Sequence, residues 1–330
     1  MKRFTILAGI AGLTLFGILV AFSGAEDVLG AVAAAGWATL WVTLIRAVAL
    51  AVDGLAWRQL FPPGRRAGLL DCVGLRFVRE GVNQLLPVAA VGGDFVGARL
   101  LAFRGVEGAL AGASVIADIA VAAATQLLFA VGGLALLVWL TGDSPMARYV
   151  GWGLGLATLG LAGFVLVQRR QGSAFLMRLG RALAGGREWA GLAAIERTFE
   201  RLGEIYANRR GVLASAATHM AVWLGQSVEV WLALHFMGHP VTFAEALVIE
   251  SLSQAVRGAA FAIPGGLGVQ EGGFIALCAA FGVPPGPAVA LSLVKRVGDV
   301  ALGLPGLVAW QVMESRRALR PEPKLASGRG

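Results

Sequence analysis

Long apolar runs separated by short polar stretches fill most of this chain of 330 residues. A helix needs about 20 apolar residues to cross the hydrocarbon of a bilayer. Six runs have that length and predict full spans, namely residues 4–25, 28–51, 109–142, 149–168, 212–237 and 287–313. The pattern therefore predicts an all-α polytopic membrane protein.

Two further stretches, residues 69–106 and 243–282, are too charged for ordinary spans and too apolar for loops. In each, a proline precedes a carboxylate by seven positions: Pro87 and Asp94 in the first stretch, Pro264 and Glu271 in the second. A broken helix is tolerated at membrane depth only where it is buried in protein or lines a wet cavity.

The first of these stretches is predicted to begin on the cytoplasmic side and the second outside. We therefore expect two re-entrant helical hairpins related as an inverted-topology repeat, a design found in secondary transporters. The alternative is a pair of kinked spans whose glycines serve packing. The residues expected at the helix breaks are Pro87, Gly92, Gly93, Pro264, Gly265 and Gly266.

The whole chain is expected to form a single integral membrane domain in five parts. These are a first span (1–27), repeat 1 (28–142), a span followed by a cytoplasmic segment (143–211), repeat 2 (212–313) and a cytoplasmic tail (314–330). Apolar residues recur at helical spacing over 192–206, which predicts an amphipathic helix on the membrane surface.

Composition supports a membrane location, because 57 % of the residues are hydrophobic and 15 % are charged. Soluble domains carry about 25 % charged residues. The net charge of +8 comes from basic stretches beside apolar runs, at both termini and at 58–66 and 169–211. The positive-inside rule places these stretches, and both termini, in the cytoplasm. This placement argues against nucleic-acid binding.

The sequence contains few motifs that are typical of catalytic or cofactor-binding sites. The three histidines form no metal-binding spacing, the two cysteines are isolated, and no nucleotide-binding loop is present. We therefore expect no metal and no cofactor. His219 is expected to have a structural role, and Asp53 to be solvated near an interface.

Ionisable groups inside the apolar runs cost about 2.5–3.5 kcal/mol each on insertion scales, so they should be paired or functional. Single pairs could be purely structural, but two matching clusters favour a polar cavity that takes a lipid or other substrate. Glu229 belongs to the second cluster. The candidate cavity residues are Arg79, Glu80, Asn83, Asp94, Arg99, Asp118, Glu250, Arg257, Glu271, Lys295, Arg296 and Asp299.

Three segments, residues 79–104, 263–273 and 290–310, resemble the transmembrane, flippase-like domain of the lysylphosphatidylglycerol synthase family. The Pro-Gly-Gly-Leu-Gly-x-x-Glu motif beginning at Pro264 is the most specific part, and the hopanoid-biosynthesis-associated branch is the most similar. By this resemblance the functional positions are Asn83, Pro87, Asp94, Arg99, Arg257, Pro264 and Glu271. Asp94 departs from the pattern, because Glu is expected there.

The resemblance implies a lipid transporter or flippase of the bacterial inner membrane that moves a hopanoid or a phospholipid. Only 17 residues follow Met313, so the aminoacyl-transferase domain of bifunctional members is expected to be absent and the chain not to be an enzyme. Two alternatives remain. One is a non-catalytic partner that scaffolds lipid-biosynthesis proteins, and the other is a membrane-embedded lipid-modifying enzyme with Asp94 or Glu271 as base.

Overall fold

The computed structural model describes residues 30, 33–65, 67–86, 92–142, 145–168, 190–259 and 268–318, and every regular element among them is helical. The helices are α1 (Trp37–Gln59), α2 (Leu69–Leu85), α3 (Gly92–Phe103), α4 (Gly108–Thr141), α5 (Pro145–Gln168), α6 (Ala190–Ala207), α7 (Arg209–Phe236), α8 (Phe243–Ala259), α9 (Val269–Ala279) and α10 (Pro285–Ala318).

Three stretches in the described residues are long and apolar enough to cross a membrane: Trp37–Gln59, Gly108–Thr141 and Ala147–Gln168. They confirm an all-helical membrane protein. Helices α7 and α10 are as long but less apolar, because charged side chains interrupt them. The predicted first span, residues 4–25, lies outside the described residues, so the layout of six spans stays a prediction.

Each of the two charged stretches contains a long helix followed by a short one. Helices α2 and α3 occupy 69–106, and helices α8 and α9 occupy 243–282. The intervening residues, which include Pro87, Pro264, Gly265 and Gly266, lie outside the described residues. Gly92 and Gly93 are the first residues of α3.

The helices pack in a regular scheme. Helix α1 packs against α7, and each of them also packs against the helix that follows it, α2 or α8 respectively. Helix α2 packs along α10, while α8 packs along α4. The short helices α3 and α9 lie against α4 and α10.

Two apolar cores lie toward opposite ends of α1. Core A contains Val42 together with side chains of α7, α8, α9 and α10, such as Phe274. Core B contains Trp57 together with side chains of α2, α3, α4 and α6, such as Leu75. The segment of α1 between Val42 and Trp57 carries Arg46 and Asp53, so charged groups occupy the layer between the cores.

The predicted amphipathic helix exists as α6, but its location differs from the prediction. Leu202 and Ile205 are fully buried in core B against α4, rather than in lipid. Helix α4 has 34 residues, a length of about 51 Å, so one end must extend beyond ~30 Å of hydrocarbon. That end offers α6 an apolar surface, and Arg201 of α6 pairs with Glu107 beside it.

Candidate functional site

A polar cavity of about 260 Å³ lies in the layer between core A and core B. Five helices contribute to it, α1, α2, α4, α7 and α8, so it lies where the packed helix pairs meet. Concave sites with a few converging polar groups are the usual place for small ligands. The lining residues are Arg46, Ala49, Leu50, Asp53, Arg76, Glu80, Gln84, Gln126, Trp223, Gln226, Gln254, Arg257 and Gly258.

The three cavity arginines differ in how closely carboxylates hold them. Arg46 lies 2.7 Å from Asp299, and Arg76 lies 3.2 Å from Asp53. Arg257 pairs with Asp299 at 3.7 Å, beyond hydrogen-bonding distance. The Nε of Arg76 is buried without a hydrogen-bond partner among the described residues. Because its ion pair with Asp299 is long, Arg257 has guanidinium donors available to an anion in the cavity.

Behind one wall of the cavity, Arg79 of α2 joins α3 and α4. Its guanidinium donates to Asp94 at 2.8 Å and to Asp118 at 2.7 Å. Gly93 and Gly97 make room for it, because a Cβ at Gly93 would overlap the Arg79 carbonyl oxygen and one at Gly97 would crowd its side chain. A buried arginine is tolerated when carboxylates pair with it in this way.

Asn83 of α2 also contacts the start of α3, beside Arg79 and Asp94. Its side-chain oxygen accepts from the Gly93 N–H at 2.7 Å, and its amide lies 3.3 Å from Asp94. It therefore satisfies one of the N–H groups at the start of α3 that have no partner within the helix.

His219 of α7 extends this network to α1. Its Nδ1 lies 3.0 Å from Asp53, and its Nε2 lies 3.2 Å from Asp118. Arg76 then bridges Asp53 at 3.2 Å and Glu80 at 3.3 Å. The first network therefore runs continuously through five helices, α3, α2, α4, α7 and α1, from Asp94 to the cavity wall.

A second network lies toward core A and joins α1, α7, α8 and α10. Lys295 contacts Glu250 at 2.6 Å and Glu229 at 3.2 Å. Glu229 also contacts Arg46 at 3.3 Å, and Arg46 contacts Asp299. With Arg257, the second network contains three cations and three carboxylates, so it is electrically balanced.

Glu271 forms a separate site at the start of α9. Its carboxylate accepts from the Gly268 N–H at 2.6 Å, from Ser292 at 2.8 Å and from Arg296 at 2.7 Å. A carboxylate in the first helical turn compensates the unpaired N–H groups and the helix dipole there. Glu271 therefore fastens α9 to α10.

No group of three or more His, Cys, Asp or Glu side chains in the described residues is placed to hold a metal ion.

A family model described as the lysylphosphatidylglycerol synthase TM region matches residues 9–305. The chain belongs to this family. The comparisons with curated proteins and with solved structures found no match to the chain.

The residues that the family resemblance pointed to occupy different places. Arg257 lines the cavity, Asn83 and Asp94 lie in the first network, and Glu271 holds α9. Arg99 is apart from all of them. Its side chain is 63 % exposed and pairs with Glu314 at 3.4 Å, because the outward face of α3 carries it.

The remaining predicted cavity residues are brought into the clusters described above. Glu80 lines the cavity, and Arg79 and Asp118 belong to the first network. Glu250, Lys295 and Asp299 belong to the second network, and Arg296 forms an ion pair with Glu271.

The expectation that Asp53 is solvated near an interface was wrong. Asp53 is buried rather than solvated, because His219 and Arg76 pair with it. His219 is at the centre of the first network, and its sequence context gave no metal or catalytic spacing to reveal this. The four cavity glutamines were also missed, although a glutamine in an otherwise apolar span, such as Gln126, is a usable signal.

Proposed function

We propose that the chain moves a lipid across the bacterial inner membrane, with the polar head group passing through the cavity. The observation that carries the proposal is the charged cavity between core A and core B, at the depth where ordinary membrane proteins are apolar. Polar groups at such depth are expensive, and they are kept where a polar substrate passes.

Helix packing supports an inverted-topology repeat of α1–α4 and α7–α10. Helices α1, α2 and α4 of the first set correspond to α7, α8 and α10 of the second. The packing of α1 against α2 is matched by that of α7 against α8, and the packing of α2 against α10 is matched by that of α8 against α4. The cavity lies between the two sets. Transporters with such repeats expose a central site to one side and then the other by rocking one set against the other.

The size and chemistry of the cavity suit a small head group rather than a whole lipid. A volume of about 260 Å³ is below the ~300–1,000 Å³ typical of sites for drug-sized ligands. Arg257 would contact the anionic part of the head group, and the glutamines would bind its hydroxyl or ester oxygens. The apolar tails would stay in the surrounding lipid, so we propose translocation without any covalent step.

The lipid is proposed to be a hopanoid or a phospholipid, in line with the branch of the family that the sequence resembles most. Both termini are proposed to be cytoplasmic. Each terminus carries basic residues next to an apolar run, and such residues are enriched on the cytoplasmic side of membrane proteins. Proteins of lipid biosynthesis would supply the substrate.

Reconstitution into liposomes tests the proposal. Vesicles would carry a trace of fluorescent phosphatidylglycerol or of a fluorescent hopanoid, and a membrane-impermeant quencher would report movement between leaflets. We expect Arg257→Ala to slow movement by about tenfold, equivalent to about 1.4 kcal/mol. The change is structurally mild because Asp299 keeps its closer partner, Arg46.

Arg99→Ala is the matched control, since it removes the same side chain from an exposed site that is remote from the cavity. It should leave the rate unchanged. Wild-type protein that moves neither probe faster than empty vesicles, or an Arg257→Ala variant that moves them at the wild-type rate, would contradict the proposal.

A further inference from the structure

His219 is enclosed by two aspartates that come from two other helices. Asp53 of α1 faces its Nδ1 at 3.0 Å, and Asp118 of α4 faces its Nε2 at 3.2 Å. The side chains are almost fully buried, with exposed fractions of 3 % for His219, 10 % for Asp53 and 4 % for Asp118. We call these three residues the triad.

Hydrogen bonding sets the number of protons in the triad. A neutral imidazole has one donor and one acceptor nitrogen, whereas an ionised carboxylate can only accept. If both aspartates were ionised and the imidazole neutral, the unprotonated ring nitrogen would face a carboxylate oxygen, and both of these atoms are acceptors. The contacts are satisfied only if the imidazole carries two protons or one aspartate is protonated. In either case the triad holds one proton more than a neutral histidine between two carboxylates.

The charges around the triad favour this additional proton. Arg76 pairs with the second oxygen of Asp53, and Arg79 pairs with that of Asp118. These two arginines are also shared with Glu80 and Asp94. The first network therefore contains four carboxylates and two arginines, a net charge of −2 that the proton reduces to −1. A buried net charge is costly, so the network gains from binding a cation.

Charged groups on the other helices packed against α7 are engaged elsewhere. Glu250 of α8 and Lys295 and Asp299 of α10 belong to the second network, which meets α7 at Glu229. Glu229 is ten positions from His219, about 15 Å along the helix. On α6, Arg201 and Glu204 pair with each other, with Glu107 and with Arg65. The triad is thus influenced chiefly by Arg76 and Arg79.

We propose that the triad is a buried proton-binding site whose occupancy is coupled to the passage of an anionic head group. The coupling rests on the proposed lipid movement. Asp53 and Arg76 belong both to the first network and to the cavity wall. Loss of the proton adds a negative charge behind the wall and draws Arg76 from Glu80 toward Asp53. Glu80 then repels an anion, so proton and anionic head group bind more tightly together than separately.

The proton itself can be detected without any lipid substrate. The full chain, labelled with ¹⁵N-histidine in nanodiscs, contains three histidines, and the His219→Gln spectrum assigns the signal of interest. At a pH of about 8 a histidine in water is neutral. We expect His219 to show two protonated ring nitrogens there, or else a carboxylic C=O band in the infrared spectrum that Asp53→Asn or Asp118→Asn removes. A neutral imidazole without such a band overturns the proton site.

The coupling is tested in proteoliposomes with fluorescent phosphatidylglycerol, a pH difference of about one unit, and the membrane potential clamped with valinomycin and equal potassium. One proton per lipid shifts the final distribution of the probe between leaflets by up to about tenfold in the wild type. The His219→Gln variant should move the probe without that shift, whereas His235→Gln, a change at an exposed histidine, should behave as wild type.

The outcomes separate the two proposals. A wild-type protein that moves the probe to the same final distribution with and without the gradient overturns the coupling and leaves lipid translocation standing. A wild-type protein that moves no probe under any gradient overturns the proposed function and the coupling with it, while the spectra still decide whether the triad holds the proton.

Discussion

Lys295 of α10 and Glu250 of α8 meet with Nζ and Oε2 only 2.6 Å apart, and solvent reaches neither of them appreciably. The same ammonium contacts Glu229 of α7 at 3.2 Å. A single cation therefore neutralises carboxylates from two helices. The contact ties α7, α8 and α10 together beside the cavity.

Replacing this cation should destabilise the protein strongly. Lys295→Met leaves two carboxylates buried beside an apolar side chain, and removing one partner of a buried pair costs about 3–5 kcal/mol. We expect a loss of that size in the free energy of unfolding, measured by denaturant titration in one detergent. The double variant Lys295→Met/Glu250→Gln should recover part of it, because it leaves one fewer unpaired charge.

Arg316→Met, at an exposed position of the same helix, is the control for Lys295→Met. It should change the free energy of unfolding by no more than about 0.5 kcal/mol. A Lys295→Met protein as stable as the control would show that the ammonium does not neutralise the two carboxylates.

The contact between α2 and α10 depends on glycine. A Cβ at Gly81 would overlap the carbonyl oxygen of Gly303, whereas nothing lies within 4 Å of a Cβ at Gly74 on the same helix. Gly81→Ala should therefore lower the free energy of unfolding by about 1–3 kcal/mol through overpacking. Gly74→Ala should leave it unchanged or raise it by up to about 1 kcal/mol through helix propensity. Equal effects of the two changes would refute the close approach.

Helix α6 should be released from core B by a single truncation. Leu202→Ala removes a fully buried side chain and should cost about 2–5 kcal/mol. Ile195→Ala, at a half-exposed position of α6, is the control. Amide hydrogen exchange of 190–207 measures the release. It should rise in the Leu202 variant alone, and unchanged protection there would place the apolar face of α6 elsewhere.

Tyr206 offers a pH-dependent signal at the same contact. Its hydroxyl donates to the side chain of Gln168, and burial raises the pKa of Tyr206 to about 12, against about 10 for a free tyrosine. Folding therefore favours the neutral phenol. The stabilisation is complete below pH ~10 and is lost as the pH rises through about 12.

Ultraviolet titration can isolate this group, because the chain has only two tyrosines. In a Tyr149→Phe variant, the phenolate absorbance should be nearly absent at pH ~10, where half of a free tyrosine is ionised. The same titration of the denatured variant provides the reference. Half-ionisation at pH ~10 in the folded protein would mean that Tyr206 is not buried.

The sequence alone was sufficient for the membrane class and the all-helical architecture, and it singled out most residues that the two networks contain. A charge inside an apolar run needs a partner, and so Arg79, Asp118 and Lys295 could be singled out before any partner was known. Partner identity could not be predicted, because it depends on which helices pack together. Arg99 and Asp53 show where prediction from sequence fails. A charged residue near a helix end gives the same sequence pattern whether its side chain faces solvent, as Arg99 does, or a buried histidine, as Asp53 does.

The route of membrane insertion follows from where the partners of α10 lie in the chain. Lys295 and Arg296 pair with Glu229, Glu250 and Glu271, all of which are synthesised before α10. Alone, α10 is too polar to enter hydrocarbon at low cost. We therefore expect it to leave the translocation machinery only once α7, α8 and α9 are alongside. In a chain that stops before α10, Glu229 would keep Arg46 but Glu250 and Glu271 would lose their cations, so such a chain would be a substrate for membrane quality control.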